Sequence, residues 1–203
     1  MNTNLDFPTD IDFLEKLKSH SAAAHKKLEN LSVSTSILSP DMKITDYGHY
    51  LSLMYNVHKS TEEIIFPILN PVILDLKERE KTKLLEKDLS YLNYKKNEEI
   101  VLFKSSVYSV PFALGIVYVI EGSSLGGRYI LKNVEKVSGL NEQKGVSYFT
   151  GYGDKTGSYW KGFINLLQEY EAQNNCADEI IEGAVYAFES IYNHFKNTVK
   201  NEN

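Results

Sequence analysis

The chain has little cysteine, tryptophan or proline: one Cys, one Trp and five Pro in 203 residues. The lone thiol, Cys176, excludes an internal disulfide and a thiolate metal cluster, as suits a reducing compartment. Excess positive charge is also missing, and a net charge of −5 argues against nucleic acid as the main partner. The opening Met-Asn-Thr-Asn-Leu-Asp-Phe-Pro-Thr-Asp is acidic and has no apolar stretch of the kind a secretory signal needs. The longest apolar run, Val110 to Ile120, is too short to cross a bilayer and stops at Glu121. A cytoplasmic location is therefore expected. No internal repeat or proline-rich tract is visible. Strand-like alternation is confined to 101–103 and 146–149.

What remains is an ordinary globular composition, 42% hydrophobic and 24% charged. A chain of this length buries roughly 70% of its unfolded surface, enough for a core without staples. The periodicity is helical nearly throughout. Phe13, Leu17, Ala24, Leu28 and Leu31 form a core-facing stripe over 11–31. Thr45 is the expected N-cap of a helix running to about Phe66, where Pro67 and Pro71 end it. A charged surface helix is expected over 77–94, with Leu84, Leu85, Leu89 and Leu92 on one side. The next helix starts near Ser109 or Pro111 and runs to about Ser138, before Gly139. A glycine-rich loop follows over 147–157, then two closing helices over 158–171 and 177–198. The expectation is an all-α single domain spanning 1–203, with an ordered core over about 11–198.

The segment Glu121-Gly122-Ser-Ser-Leu-Gly126-Gly127-Arg128 carries the most information. Each glycine inside a helix costs roughly 1 kcal/mol relative to alanine. Helices that accept several such penalties usually have something lying against their backbone. Gly122 and Gly126, four residues apart, share a face where something flat and large could rest. In the first helix, Lys18, Ser21, His25 and Glu29 lie on one face. Glu29 can accept a hydrogen bond from the His25 imidazole and fix its tautomer, freeing the other nitrogen for a metal. Lys18 sits roughly 10 Å back along the axis, where an ammonium could meet an anion at the rim of a wide ligand. His20 is about 140° from His25, and His49 and His58 are about 180° apart, so neither pair chelates. Nor is there a repeated Glu-x-x-His pattern. A metal held by one imidazole, with the rest of its coordination from a cofactor, points to haem. The competing reading is a solvated stripe and glycines that merely permit tight helix packing.

Together these two segments resemble the biliverdin-producing haem oxygenases. The form Glu-Gly-Ser-x-Leu-Gly-Gly, the loop Tyr148-Phe-Thr-Gly-Tyr-Gly153 and Tyr159-Trp160-Lys161 look most like the bacterial branch associated with bacteriophytochromes. The likeness runs from about residue 11 to 198. It implies His25 as the iron ligand, with Glu29 as its hydrogen-bond partner. Lys18 and Lys161 would face the haem propionates, and Gly122, Gly126 and Gly127 would bring the distal helix close over the iron. Tyr55 would belong to the distal hydrogen-bond network, and Phe188 and Phe195 would line or back the pocket. Ser123 stands where many members carry an aspartate; a hydroxyl holds water but brings no negative charge. Asn165 stands where others carry a propionate-binding arginine, and Arg128 where many carry glutamine. The implied activity is oxidative opening of the haem ring to biliverdin, with carbon monoxide and ferrous iron released. Haem would be both substrate and cofactor. Electrons would come from an external redox protein such as ferredoxin or flavodoxin with its reductase, since no nucleotide or flavin motif is present. A bilin-binding photoreceptor is the further partner the branch suggests. The alternative on the same fold is a haem-binding or storage protein without turnover.

Overall fold

The computed structural model describes residues 12–104, 108–141 and 144–199. It is all-helical, in agreement with the periodicity. The elements are α1 (Phe13–Glu29), α2 (Ser32–Ser36), α3 (Ile44–Ser60), α4 (Phe66–Leu69), α5 (Thr82–Tyr91), α6 (Val110–Ser138), α7 (Ser147–Thr150), α8 (Thr156–Asn174) and α9 (Ala177–Val199). A π-helical turn, Thr61–Ile65, joins α3 to α4, and 3-10 turns occupy Leu76–Arg79 and Gly153–Lys155.

The central helix α6 has the boundaries its sequence demands. Ser109 caps it, its hydroxyl accepting from the Phe112 N–H at 3.3 Å, and Pro111 lies in the first turn, where a missing N–H costs nothing. Gly139 ends it at φ 70°, a left-handed conformation that favours glycine. By length and composition, Val110–Lys136 is apolar enough to cross a membrane, contrary to the reading from the apolar run alone, but half of its most apolar 18-residue stretch is buried inside the fold. Its partners are α9 above all, then α8 and α7. Helix α1 packs on the same α9, so α1 and α6 rest mainly on a shared neighbour.

The α6–α9 contact is close because both helices present glycine. A Cβ on Gly115 would run into the Ile180 carbonyl oxygen, and one on Gly183 into that of Phe112. Around this seam lie Leu17, Leu51, Leu114, Val117, Phe163, Ile180 and Ala184, all essentially inaccessible.

Several local expectations are corrected. The cap of α3 is Lys43, whose N–H donates to Asp46 Oδ2 at 2.8 Å, not Thr45. Pro67 does not end the helix. It sits in the first turn of α4, straight after the π turn, where the altered hydrogen-bond register absorbs its missing N–H. The surface helix begins at Thr82 rather than 77, because Glu80 is extended. Residues 101–103 form no strand, and 147–150 fold as α7 within the expected loop.

Candidate functional site

His25 lies on the side of α1 turned from the core, half exposed. Its ring stacks on Phe188 of α9, with centroids 4.9 Å apart and planes 29° apart. Nε2 is 3.3 Å from Glu29 Oε1, one turn later on α1, so the second ring nitrogen is left without competition from that carboxylate. The spacing expected from the sequence thus produces the pair in three dimensions, and α9 adds an apolar plate behind the imidazole. Phe188 is otherwise buried, which fixes the ring that supports His25.

On α6 the three motif glycines have different surroundings. A Cβ at Gly126 would meet no heavy atom within 4 Å, so the backbone there borders open space. At Gly122 it would touch the Trp160 ring at 3.5 Å, an ordinary contact. At Gly127 it would press on Phe149 at 3.2 Å. Gly127 therefore lies against α7, where it lets α6 and Phe149 come close. Trp160 and Tyr118, centroids 5.6 Å apart, continue the aromatic wall beside Gly122.

Lys18 and Lys161 are exposed. Phe195 is a core residue, edge-on to Tyr50 at 5.8 Å. Tyr55 is held on the α5 side of α3. Its hydroxyl donates to Glu86 Oε1 at 3.1 Å, with Lys96 over its ring, so it ties α3 to α5 and the 96–99 segment. His58, one turn further along α3, has a different partner. Its Nε2 meets the Tyr148 hydroxyl at 3.1 Å. Burial pushes the His58 value down to about 3, keeping the ring neutral, and pushes the Tyr148 phenol well above its ordinary range. Tyr148 is aimed by Asp88, whose two oxygens accept the Ser147 and Tyr148 N–H groups at 2.9 and 2.7 Å.

A buried ionic cluster underpins the same stretch of α6. Arg79 Nη1 donates to Glu121 Oε2 at 2.7 Å, and the side chains of both are 4% exposed. Arg79 also grips Asp75 with two bonds of 2.9 Å. The Tyr152 hydroxyl donates to Glu121 Oε1 at 2.9 Å. Burial pushes the Glu121 carboxyl up, against the opposing pull of Arg79. These partners lie 42 and 31 residues apart, beyond the reach of any local pattern.

The sequence model of the family described as "Heme oxygenase" matches residues 11–197. The chain is a member of the haem oxygenase family. The haem oxygenase of Neisseria meningitidis, solved with NO and CO bound, is similar at 26% identity and a TM-score of 0.77, over 94% of this chain and 93% of that one. The haem oxygenase of Leptospira interrogans shares the fold at 18% identity and a TM-score of 0.75, over 92% and 100%. That of the cyanobacterium Synechocystis, solved in complex with haem, does so at 16% and 0.70, over 94% of each chain. No curated protein matches the chain in sequence.

The residues present fit an iron porphyrin. An accessible imidazole with a carboxylate partner, an apolar plate behind it and an uncovered glycine backbone are the features such a planar ligand requires. Among the described residues, no three His, Cys, Asp or Glu side chains cluster to hold a metal by themselves, so a single protein ligand is the chemistry on offer.

Proposed function

We propose that this chain opens the haem ring to biliverdin in the space between α1 and α6, with His25 as the iron ligand. The observation that carries the reading is the accessible His25 imidazole beside Glu29, and the open backbone at Gly126 on α6 supports it. Haem, when bound, supplies both the oxygen-activating iron and the ring that is cleaved, with carbon monoxide and iron as the other products.

The protein's own contributions follow from its residues. The Glu29 carboxylate, 3.3 Å from Nε2, favours the tautomer with its proton on that nitrogen and so helps orient His25. Phe188 limits the tilt of that ring by stacking. The absence of a side chain at Gly126 lets the ligand approach the α6 backbone and keeps bulky acids off the reacting centre. Trp160 against Gly122 walls the same side with apolar surface and excludes water there. Lys18 and Lys161 offer cations to carboxylates at the exposed rim, which orients the ring edge. Ser123, one turn from Gly126, donates its hydroxyl to the Ile120 carbonyl at 2.7 Å, so its oxygen is left to accept from a water.

The finer assignments rest on sequence likeness. The 148–153 loop and Tyr159-Trp160-Lys161 support the bacteriophytochrome-associated branch, and with it a bilin-binding photoreceptor as recipient of the product. Electrons come from a separate ferredoxin or flavodoxin system, and the reaction takes place in the cytoplasm.

The test is anaerobic loading with haem, then oxygen and a reductant. The Soret band should give way to biliverdin absorbance with carbon monoxide released. Stable haem with several donors identifies a storage protein instead. No Soret shift on loading removes both readings.

A further inference from the structure

A second polar feature sits on the α6 segment that carries the open glycine. Ser123, Ser124, Tyr148, Thr150, Tyr152 and Lys81 all line one small cavity there. The space open to a water centre is about 20 Å³, room for a water.

The hydrogen-bond directions define what that cavity can hold. Ser123 gives its proton to the Ile120 carbonyl at 2.7 Å, Thr150 to that of Val146 at 3.0 Å, and Thr156, also on the cavity, to that of Gly153 at 2.8 Å. Tyr152 gives its proton to Glu121. These hydroxyls therefore face the cavity with lone pairs only. Among the lining side chains Lys81 is the cation, and its ammonium brings N–H donors to the set. That residue is 5% exposed, and its ammonium lies 3.2 Å from the centre of the Tyr152 ring. Among the described residues no carboxylate is within ion-pair reach of it. A water here would accept from the ammonium and donate to the hydroxyl oxygens, with Ser123 at the exposed end of the set.

Lys81 is also poised to titrate. Burial pushes its value down to about 8. The charged groups around it oppose one another: Glu121 on α6 and Glu62 in the π turn favour the ammonium, and Arg79 disfavours it. His58 on α3 is neutral and Tyr152 is a protonated phenol, so neither reverses the balance.

We propose that Lys81, acting through a water held in this cavity, is the proton reservoir for the α6 face of the cleft. The ammonium passes a proton to the water as the water releases one toward the cleft at Ser123, and solvent reprotonates the amine. No net charge is left behind. Lys81 touches no substrate, so it is a positioning group. The inference rests on the proposed ring-opening activity for its purpose, but the site is testable without haem.

The first experiment follows lysine 15Nζ signals by NMR in the apo-protein. One amine, missing in Lys81→Arg, should titrate near 8. If the Lys81 signal titrates with the others, above about 10, the proposal is overturned. The second measures ring opening against pH. The wild-type rate should fall about tenfold from pH 7 to 9, as expected for an essential acid of this value. Lys81→Met should be slow and flat across that range, with unchanged haem affinity by Soret titration. Lys81→Arg, which keeps the charge but holds its proton, should be slow and flat as well, and an arginine variant as fast as wild type refutes proton donation by Lys81. A wild type that makes biliverdin alongside a Lys81→Met variant with the same rate and profile refutes Lys81 alone. A wild type that makes no biliverdin, although its lysine titrates near 8, refutes the ring-opening reading instead.

Discussion

Replacing Gly126 by alanine separates the stability of the fold from the fit of its ligand. In mid-helix, alanine is favoured over glycine by about 1 kcal/mol. The new methyl would meet nothing within 4 Å, so no packing penalty offsets that gain. For a domain of this size, 1 kcal/mol moves the melting temperature by about 2–4 °C. The apo-protein should therefore melt higher by that amount. The same methyl protrudes into the space proposed for haem and should weaken haem binding by about tenfold or more, equivalent to about 1.4 kcal/mol. The companion variant Gly115→Ala has the opposite character. Its methyl would run into the Ile180 carbonyl, a backbone atom that cannot swing aside, so the two central helices must separate. A loss of about 3 kcal/mol or more is expected, at the severe end of overpacking. Differential scanning calorimetry of the apo-proteins and Soret titrations read both quantities. A lower melting temperature for Gly126→Ala would show that something packs at that backbone. Unchanged haem affinity would show that the ligand lies elsewhere. Either result refutes the reasoning.

Further outcomes follow from other sites. His25→Ala should lose turnover and change the Soret spectrum, with both recovered by added imidazole; normal spectra and rates would remove the ligand assignment. Glu121→Ala should cost about 3–5 kcal/mol, because Arg79 keeps a buried charge only half paired by Asp75, and urea melts should show it. His58 sets an acid limit. Its folded value, about 3, lies below its unfolded value near 6.5, so between these the unfolded chain holds the extra proton and stability falls as pH drops. From pH 7 to 5 the imidazole accounts for about 2 kcal/mol of lost stability. His58→Gln, which keeps a partner for Tyr148, should shrink the wild-type slope by that amount; parallel slopes would contradict the buried neutral ring.

Much of the fold was legible because helices are local. The limits of α6 follow from Ser109 and Gly139, and the His25–Glu29 pair follows from a four-residue spacing on one helix. The places where local reading failed have local conflicts with distant solutions. Pro67 reads as a terminator until a π turn absorbs it, and residues 77–81 read as helix until Glu80 turns extended.

Sequence by itself determined the helical class, the imidazole–carboxylate pair and the glycine-bearing segment, since each depends on residues within a turn or two of one another. Only the tertiary structure decided which glycine is open and which is packed, because the room beside a Cα is set by whatever another helix brings there. It also decided that Arg79, Lys81, Tyr148 and Tyr152 gather beneath α6, since burial and the partner of a polar atom are properties of the assembled core.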